Sequence, residues 1–293
     1  MNNYQTGILS PIPKQARYLM FSIQERDRLS TCLGELAQLC DGKQLVVGLG
    51  QSLISALDTE IPGLRVFPGL ANQGNEVPST PAALWCWLRG SDRGELYHRA
   101  KALEDVLAPA FRLDEIVDAF EYKDSRDLSG YEDGTENPKG DDAIAAALVS
   151  GQGAGMDGSS FVAVQQWLHD LEHFQSLSPD EQDDTFGRHI SDNEEFEEAP
   201  ESAHVKRTAQ ESYEPSAFIV RRSMPWVENV EAGLVFVAFG KSFNAFEAIL
   251  QRMLGIEDNI TDALFTFTRP ISGAYNWCPP MKGNRLDLSK VGI

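Results

Sequence analysis

Apolar positions in the first 122 residues follow two alternating rhythms. "ARYLMFSI" (residues 16–23) reads as a strand, and Leu29, Cys32, Leu33, Leu36 and Cys40 then recur at the spacing of an amphipathic helix. "QLVVGLG" (44–50) has the unbroken apolarity of a buried strand, and Gly50 with Ser52 opens a short helix. "LRVFPGL" and "ALWCWLRG" (83–90) are further apolar runs. Asp92 with Glu95 three residues on marks a helix start that carries to about residue 107. "DEIVDAFEY" (114–122) completes the order β-α-β-β-α-β.

The same order returns in the second half without detectable sequence identity. "SSFVAVQQWLHDL" (159–171) predicts a strand followed by a short helical segment. "SAFIVRRSM" (216–224) and "GLVFVAFG" (233–240) predict a strand pair. Phe243, Phe246, Leu250, Met253 and Leu254 mark one face of a helix, and "DALFTFTRP" (262–270) predicts the closing strand. Two ferredoxin-like α+β units with antiparallel sheets, divided as 1–130 and 131–293, are the expected architecture.

Composition adds limits. A 293-residue chain with 42% hydrophobic and 24% charged residues can bury a sizeable core. A net charge of −19 argues against nucleic acid and anionic membranes as partners. Cys32, Cys40, Cys86 and Cys278 form no Cys-x-x-Cys pair and read as reduced, buried thiols, not as a zinc site. The first residues lack a basic, apolar leader and no run reaches membrane-span length, so a cytoplasmic location is expected. Residues 180–201 hold ten acids against Arg188 alone and read as a solvated, loosely structured loop.

Three features could carry chemistry. In "SGYEDGTENP" (129–138), Gly130 and Gly134 bracket Asp133 and permit a sharp turn, while Asn137-Pro138 sets an extended exit. By composition alone this could equally be a linker. His204, in "ESAHVKRT", stands where the acidic segment gives way to Lys206 and Arg207. An imidazole beside cations suits an iron whose macrocycle carries carboxylates. In "AFIVRRSMPW", alternation puts Ile219, Arg221 and Ser223 on one face of a strand and Arg222 on the other. An arginine among apolar residues must find an acid or an anionic ligand. Arg222 suits an ion pair, and Arg221 suits a pocket.

In this order and spacing, "GYEDGTENP", the histidine of "HVKRT", "IVRRSMPW" and "FTRPISGAYNWCPP" resemble the dye-decolorizing peroxidases, B-type branch, over almost the whole chain. The resemblance implies two ferredoxin-like units of the dimeric α/β barrel type, with haem b bound mainly by the C-terminal unit. It makes His204 the proximal iron ligand, with Asp133 and Arg221 as the distal catalytic pair. It places Arg207 on a haem propionate, and Asn137, Gly134 and Ser223 beside the haem pocket. Asp262 becomes the candidate acceptor for the second N–H of His204. Hydrogen peroxide and small one-electron donors, dyes and phenols among them, are the implied substrates. An aspartate base implies an acidic optimum, and a homo-oligomer is the family habit. Trp226, Tyr213 and Trp167 are candidate radical relays. Glu136 is a candidate manganese ligand, weakened by Ser216 where a second acid would be wanted. The alternative is a haem-handling protein, a carrier or deferrochelatase-like enzyme, using His204 without a distal pair. A chlorite-decomposing haem fold and a haem-free module are further rivals. The short stretch after the closing elements predicts no encapsulation tail.

Overall fold

The structure, a computed structural model, describes residues 3–293. Its first half comprises β1 (Gln15–Ile23), α1 (Leu29–Leu39), β2 (Leu45–Gly50), α2 (Gln51–Ala56), β3 (Leu70–Asn72), β4 (Asn75–Val77), β5 (Leu84–Gly90), α3 (Arg93–Leu107) and β6 (Phe111–Phe120). The second half begins with α4 (Gly140–Ala147), β7 (Ser160–His169), α5 (Leu171–Ser176), α6 (Pro179–Phe186) and α7 (His204–Thr208). It continues with β8 (Val220–Arg221), β9 (Met224–Glu228), β10 (Glu231–Gly240), α8 (Asn244–Met253), β11 (Thr268–Pro270) and β12 (Ala274–Cys278). The hairpin β13 (Met281–Lys282) and β14 (Arg285–Leu286) follows.

Hydrogen bonding orders the strands β2-β5-β1-β6 in the first half and β9-β10-β7-β12 in the second, every neighbour antiparallel. Each is the order that a ferredoxin-like β-α-β-β-α-β unit produces. β12 joins β2 through Asn276–Gly50 and Trp277–Leu49, and β6 meets β9 at Ala119–Trp226. The two sheets therefore close into a barrel, with β8 and β11 added outside it on β10 and β7. The expected α+β, barrel-type fold is what the chain adopts.

Strand alternation sorts the side chains into two cores. In β5, Trp85 and Trp87 belong with Tyr18, Trp226 and Phe239 to one buried cluster, while Leu84, Cys86 and Leu88 belong to the other. Helices α1, α3 and α8 cover that second cluster with Leu33, Leu36, Leu103, Phe246 and Leu250. Asp92 caps α3 by accepting from Glu95 N at 2.9 Å, worth about 1 kcal/mol. All four cysteines are buried and free.

Three expected elements differ. The strand expected over 216–224 is broken: only Val220–Arg221 pairs with β10, and Met224 begins β9. Between them the Arg222 guanidinium bonds the carbonyls of Ile8, Leu9 and Arg221, not an acid. The stretch 262–270 forms a 3-10 turn before short β11, and β12 closes the second unit instead. The acidic segment opens with helix α6, where Pro179 follows the Ser178 cap, Glu181 completes a capping box, and Gly187 ends the helix in the left-handed region.

Candidate active site

Outward-facing residues of β7 and β10 form one wall of a cavity, and α7 with α8 forms the other. Its outer part, about 300 Å³, opens between the 131–136 turn, the 186–195 segment and α7. An inner part of about 90 Å³ runs under α8, lined by Phe236, Phe246, Ile249, Leu250 and Met253. Asp133, His169, His204 and Arg221 border both.

His204 is the first residue of α7. Its Nδ1 lies 2.8 Å from Asp262 Oδ2, and that carboxylate is fully buried, its Oδ1 accepting from Leu264 N at 2.9 Å. A carboxylate can only accept here, so Nδ1 carries the proton and the Nε2 lone pair is free. Among the described residues Nε2 has no partner. The acceptor expected at Asp262 is thus in place.

The opposite side is built from the motif turn. Gly134 has φ +80°, and a Cβ there would lie 2.7 Å from Asn137 Nδ2, so this position needs glycine. Asn137 Nδ2 donates to Arg221 O at 3.1 Å while Arg221 N donates to Asn137 Oδ1 at 2.7 Å. Gln210 adds a parallel tie, donating to Glu136 O and accepting from Ile219 N at 2.8 and 2.9 Å. Two amide side chains thereby fasten the turn carrying Asp133 to the strand carrying Arg221. Neither the Asp133 carboxylate nor the Arg221 guanidinium has a side-chain partner among the described residues, and Arg221 Nε is buried unpaired.

The remaining expected residues divide between the cavity rim and partners elsewhere. Arg207 does not face the cavity: it is buried in a bidentate pair with Asp258, both bonds 2.8 Å, and donates to Arg252 O. Asn137 acts on the Arg221 backbone rather than toward the cavity interior. Ser223 lies beyond the end of β8 and lines a polar cleft that Asp133, Gly134, Asn137 and Arg221 also border, its Oγ buried and unpaired. Glu136 is ion-paired with Arg188 at 2.8 Å. Trp226 and Tyr213 are buried and donate to the carbonyls of Trp167 and Arg207.

The structure adds residues the sequence did not single out. His169, at the end of β7, presents Nε2 to Asp127 Oδ1 at 3.0 Å and Nδ1 to Thr268 Oγ1 at 2.6 Å. Burial alone would push the Asp127 carboxyl up, but hydrogen bonds from His169 and Ser129 outweigh it and hold it below the usual range. Gln165 accepts from Trp167 Nε1 and leaves its buried Nε2 unpaired at the inner cavity. Period-2 counting along β7 places 165, 167 and 169 on one face, a signal available in the sequence. These features fit an iron porphyrin: a free imidazole nitrogen, an apolar slot under α8, and unpaired buried donors at Arg221 Nε and Gln165 Nε2.

Comparison with known proteins agrees. A family profile for Dyp-type peroxidase, C-terminal, matches residues 124–283. The dye-decolorizing peroxidase of Rhodococcus erythropolis is 28% identical over 93% of this chain and 85% of its own. A Shewanella oneidensis structure, provisionally assigned as a Dyp-type peroxidase, superposes with TM-score 0.89 at 28% identity, covering 99% of this chain and 98% of that one. An arginine-to-leucine variant of DypB from Rhodococcus jostii RHA1, in complex with heme, superposes with TM-score 0.86 at 26% identity, covering 93% and 94%.

Proposed function

Because the chain belongs to the Dyp-type peroxidases, enzymes that use haem to oxidise dyes, we propose that His204 holds haem b from the proximal side and that Asp133 with Arg221 acts on peroxide from the distal side. Bound haem supplies a redox-active iron that takes up the two oxidising equivalents of peroxide. The residues supply the rest. Asp133 accepts the proton from one peroxide oxygen and returns it to the other. The Arg221 guanidinium stabilises the negative charge that builds on the departing oxygen. Asp262 holds the Nδ1 proton of His204, which orients the ring and makes Nε2 a stronger donor. Hydrogen peroxide, two protons and two electrons from one-electron donors such as phenols or dyes leave as two waters and two oxidised donors.

The observation that carries this reading is Arg221. It is an arginine at the cavity wall with no acid partner, and the Asn137 amide fixes its backbone across from a prepared imidazole. Substituting Arg221→Leu should leave the Soret band of the haem-loaded protein intact and abolish peroxide-driven dye oxidation. A variant with full turnover would sink the distal assignment, and retained function without peroxide would favour a haem carrier. A carboxylate base stays ionised down to about pH 4, where imidazole with a pKa near 6.5 is already protonated. Dye oxidation is therefore expected to peak at acidic pH. A rate that falls away below about pH 6.5, as for an imidazole base, would count heavily against Asp133 as the base.

A further inference from the structure

Two residues before Asp133, Tyr131 also lines the outer cavity. Its ring is only 2% exposed and stacks on Phe186 with centroids 3.9 Å apart and planes 12° from parallel. Its hydroxyl donates to Asp183 Oδ1 at 2.5 Å. The same carboxylate accepts from Ile190 N at 3.1 Å and faces Nδ1 of the exposed His189 at 2.8 Å. We propose that Tyr131 relays single electrons between this cavity and donors too large to enter it, with Asp183 taking its phenolic proton.

The chemistry selects this residue over the other aromatics. A phenol that loses an electron becomes a strong acid, so its oxidation needs a base already at hydrogen-bond distance. Burial, reinforced by Asp183, pushes the Tyr131 phenol far up, so it stays protonated until it is oxidised. Burial also raises the Asp183 carboxyl, but its bonds from Tyr131, His189 and Ile190 N outweigh that and hold it below the usual range. It is therefore ionised and able to accept. The hydroxyl of Tyr213 and the indole N–H of Trp226 meet carbonyls, and the indole of Trp167 meets an amide oxygen; none of these can keep a proton. Tyr275 reaches Glu247 at 3.0 Å but lies behind Phe246 and does not itself line the cavity.

The step balances. Tyr131 gives one electron to the peroxide-oxidised enzyme, its O–H bond breaks, and the proton passes to Asp183. A donor at the surface formed by half-buried Phe186 and exposed His189 and Ile190 returns one electron, and the proton moves back to the phenol. Two such passes consume the two oxidising equivalents of one peroxide.

The proposal rests on the peroxidase reading, and one experiment separates the two. The haem-loaded protein is mixed with peroxide, frozen rapidly and read by electron paramagnetic resonance, with natural and ring-deuterated tyrosine. A tyrosyl signal that changes on deuteration is expected in the wild type and should be lost in Tyr131→Phe, which keeps the ring stack. In Asp183→Asn, which keeps the phenol, the signal should form more slowly and with less sensitivity to D2O. A signal that survives in Tyr131→Phe overturns the relay. Unaltered kinetics in Asp183→Asn overturn the role of its carboxylate. A Soret band that does not respond to peroxide at all would overturn the peroxidase reading and the relay with it.

Discussion

Asp127 is a carboxylate whose ionised state is written into the cavity wall. His169 and Ser129 hold its folded pKa below that of an unfolded aspartate, despite its burial. A depressed carboxyl stabilises the fold above the unfolded pKa, about 3.9, and that contribution is lost as pH falls through the lower folded value. Asp127→Asn should therefore cost about 1.5–3 kcal/mol at neutral pH, the range for a hydrogen bond to a charged group. The difference from wild type should shrink steadily below about pH 4. Urea unfolding at pH 7 and pH 3 measures it, and an equal deficit at both would show that the pair adds no charge-dependent stability. Asp262 likewise accepts from a histidine, and there the hydrogen bond fixes the His204 tautomer.

At the scale of elements, the proposed distal site depends on fastening more than on secondary structure. Arg221 sits on a strand of two residues, and Asp133 on a turn with no regular structure. Asn137 and Gln210 hold the two together. Asn137→Ala would leave Arg221 N without its side-chain partner, at about 1–3 kcal/mol if it stays buried, while Arg221 O keeps only the Arg222 guanidinium. A displacement on the order of 1 Å in a catalytic group can cost roughly 100-fold in rate. The variant should keep its Soret band while kcat for dye oxidation falls by about that factor; an unchanged kcat would mean the turn holds itself. Much of this site was legible beforehand. The motif turn, His204 and Arg221 stood out by residue type and context, the family resemblance gave them and Asp262 their expected roles, and period-2 and period-3.6 patterns located most barrel strands and α1, α3 and α8. What stayed hidden depends on partners distant in sequence. The resemblance sends Arg207 to a haem propionate, but the acid it pairs with, Asp258, lies 51 residues away, and the end of β8 at Arg221 interrupts the alternation that relates Ser223 to it. Helix α6 was a different miss: Ser178-Pro179 with Glu181 announced it, but the charge count drew attention first.

For the molecule as a whole, charge and closure matter most. A net charge of −19 surrounds a cavity mouth bordered by Glu132, Glu136, Glu195 and Glu211 against Arg188 and Lys206. Cationic donors should be drawn in and anionic dyes repelled. Raising ionic strength from 0.01 to 0.15 M shortens the screening length from about 30 to about 8 Å. Over that range kcat/KM should fall for a cationic dye and rise for an anionic one; the same trend for both would rule out steering by this field. The closed barrel, meanwhile, encloses or backs the four thiols. Burial pushes Cys40 up to about 12, Cys86 and Cys278 well above the ordinary thiol value, and Cys32 upward as well. Peroxide attacks thiolates, not protonated thiols. A catalyst that spends its life in contact with this oxidant thus keeps its own thiols in the unreactive form, and its working lifetime is not set by cysteine oxidation.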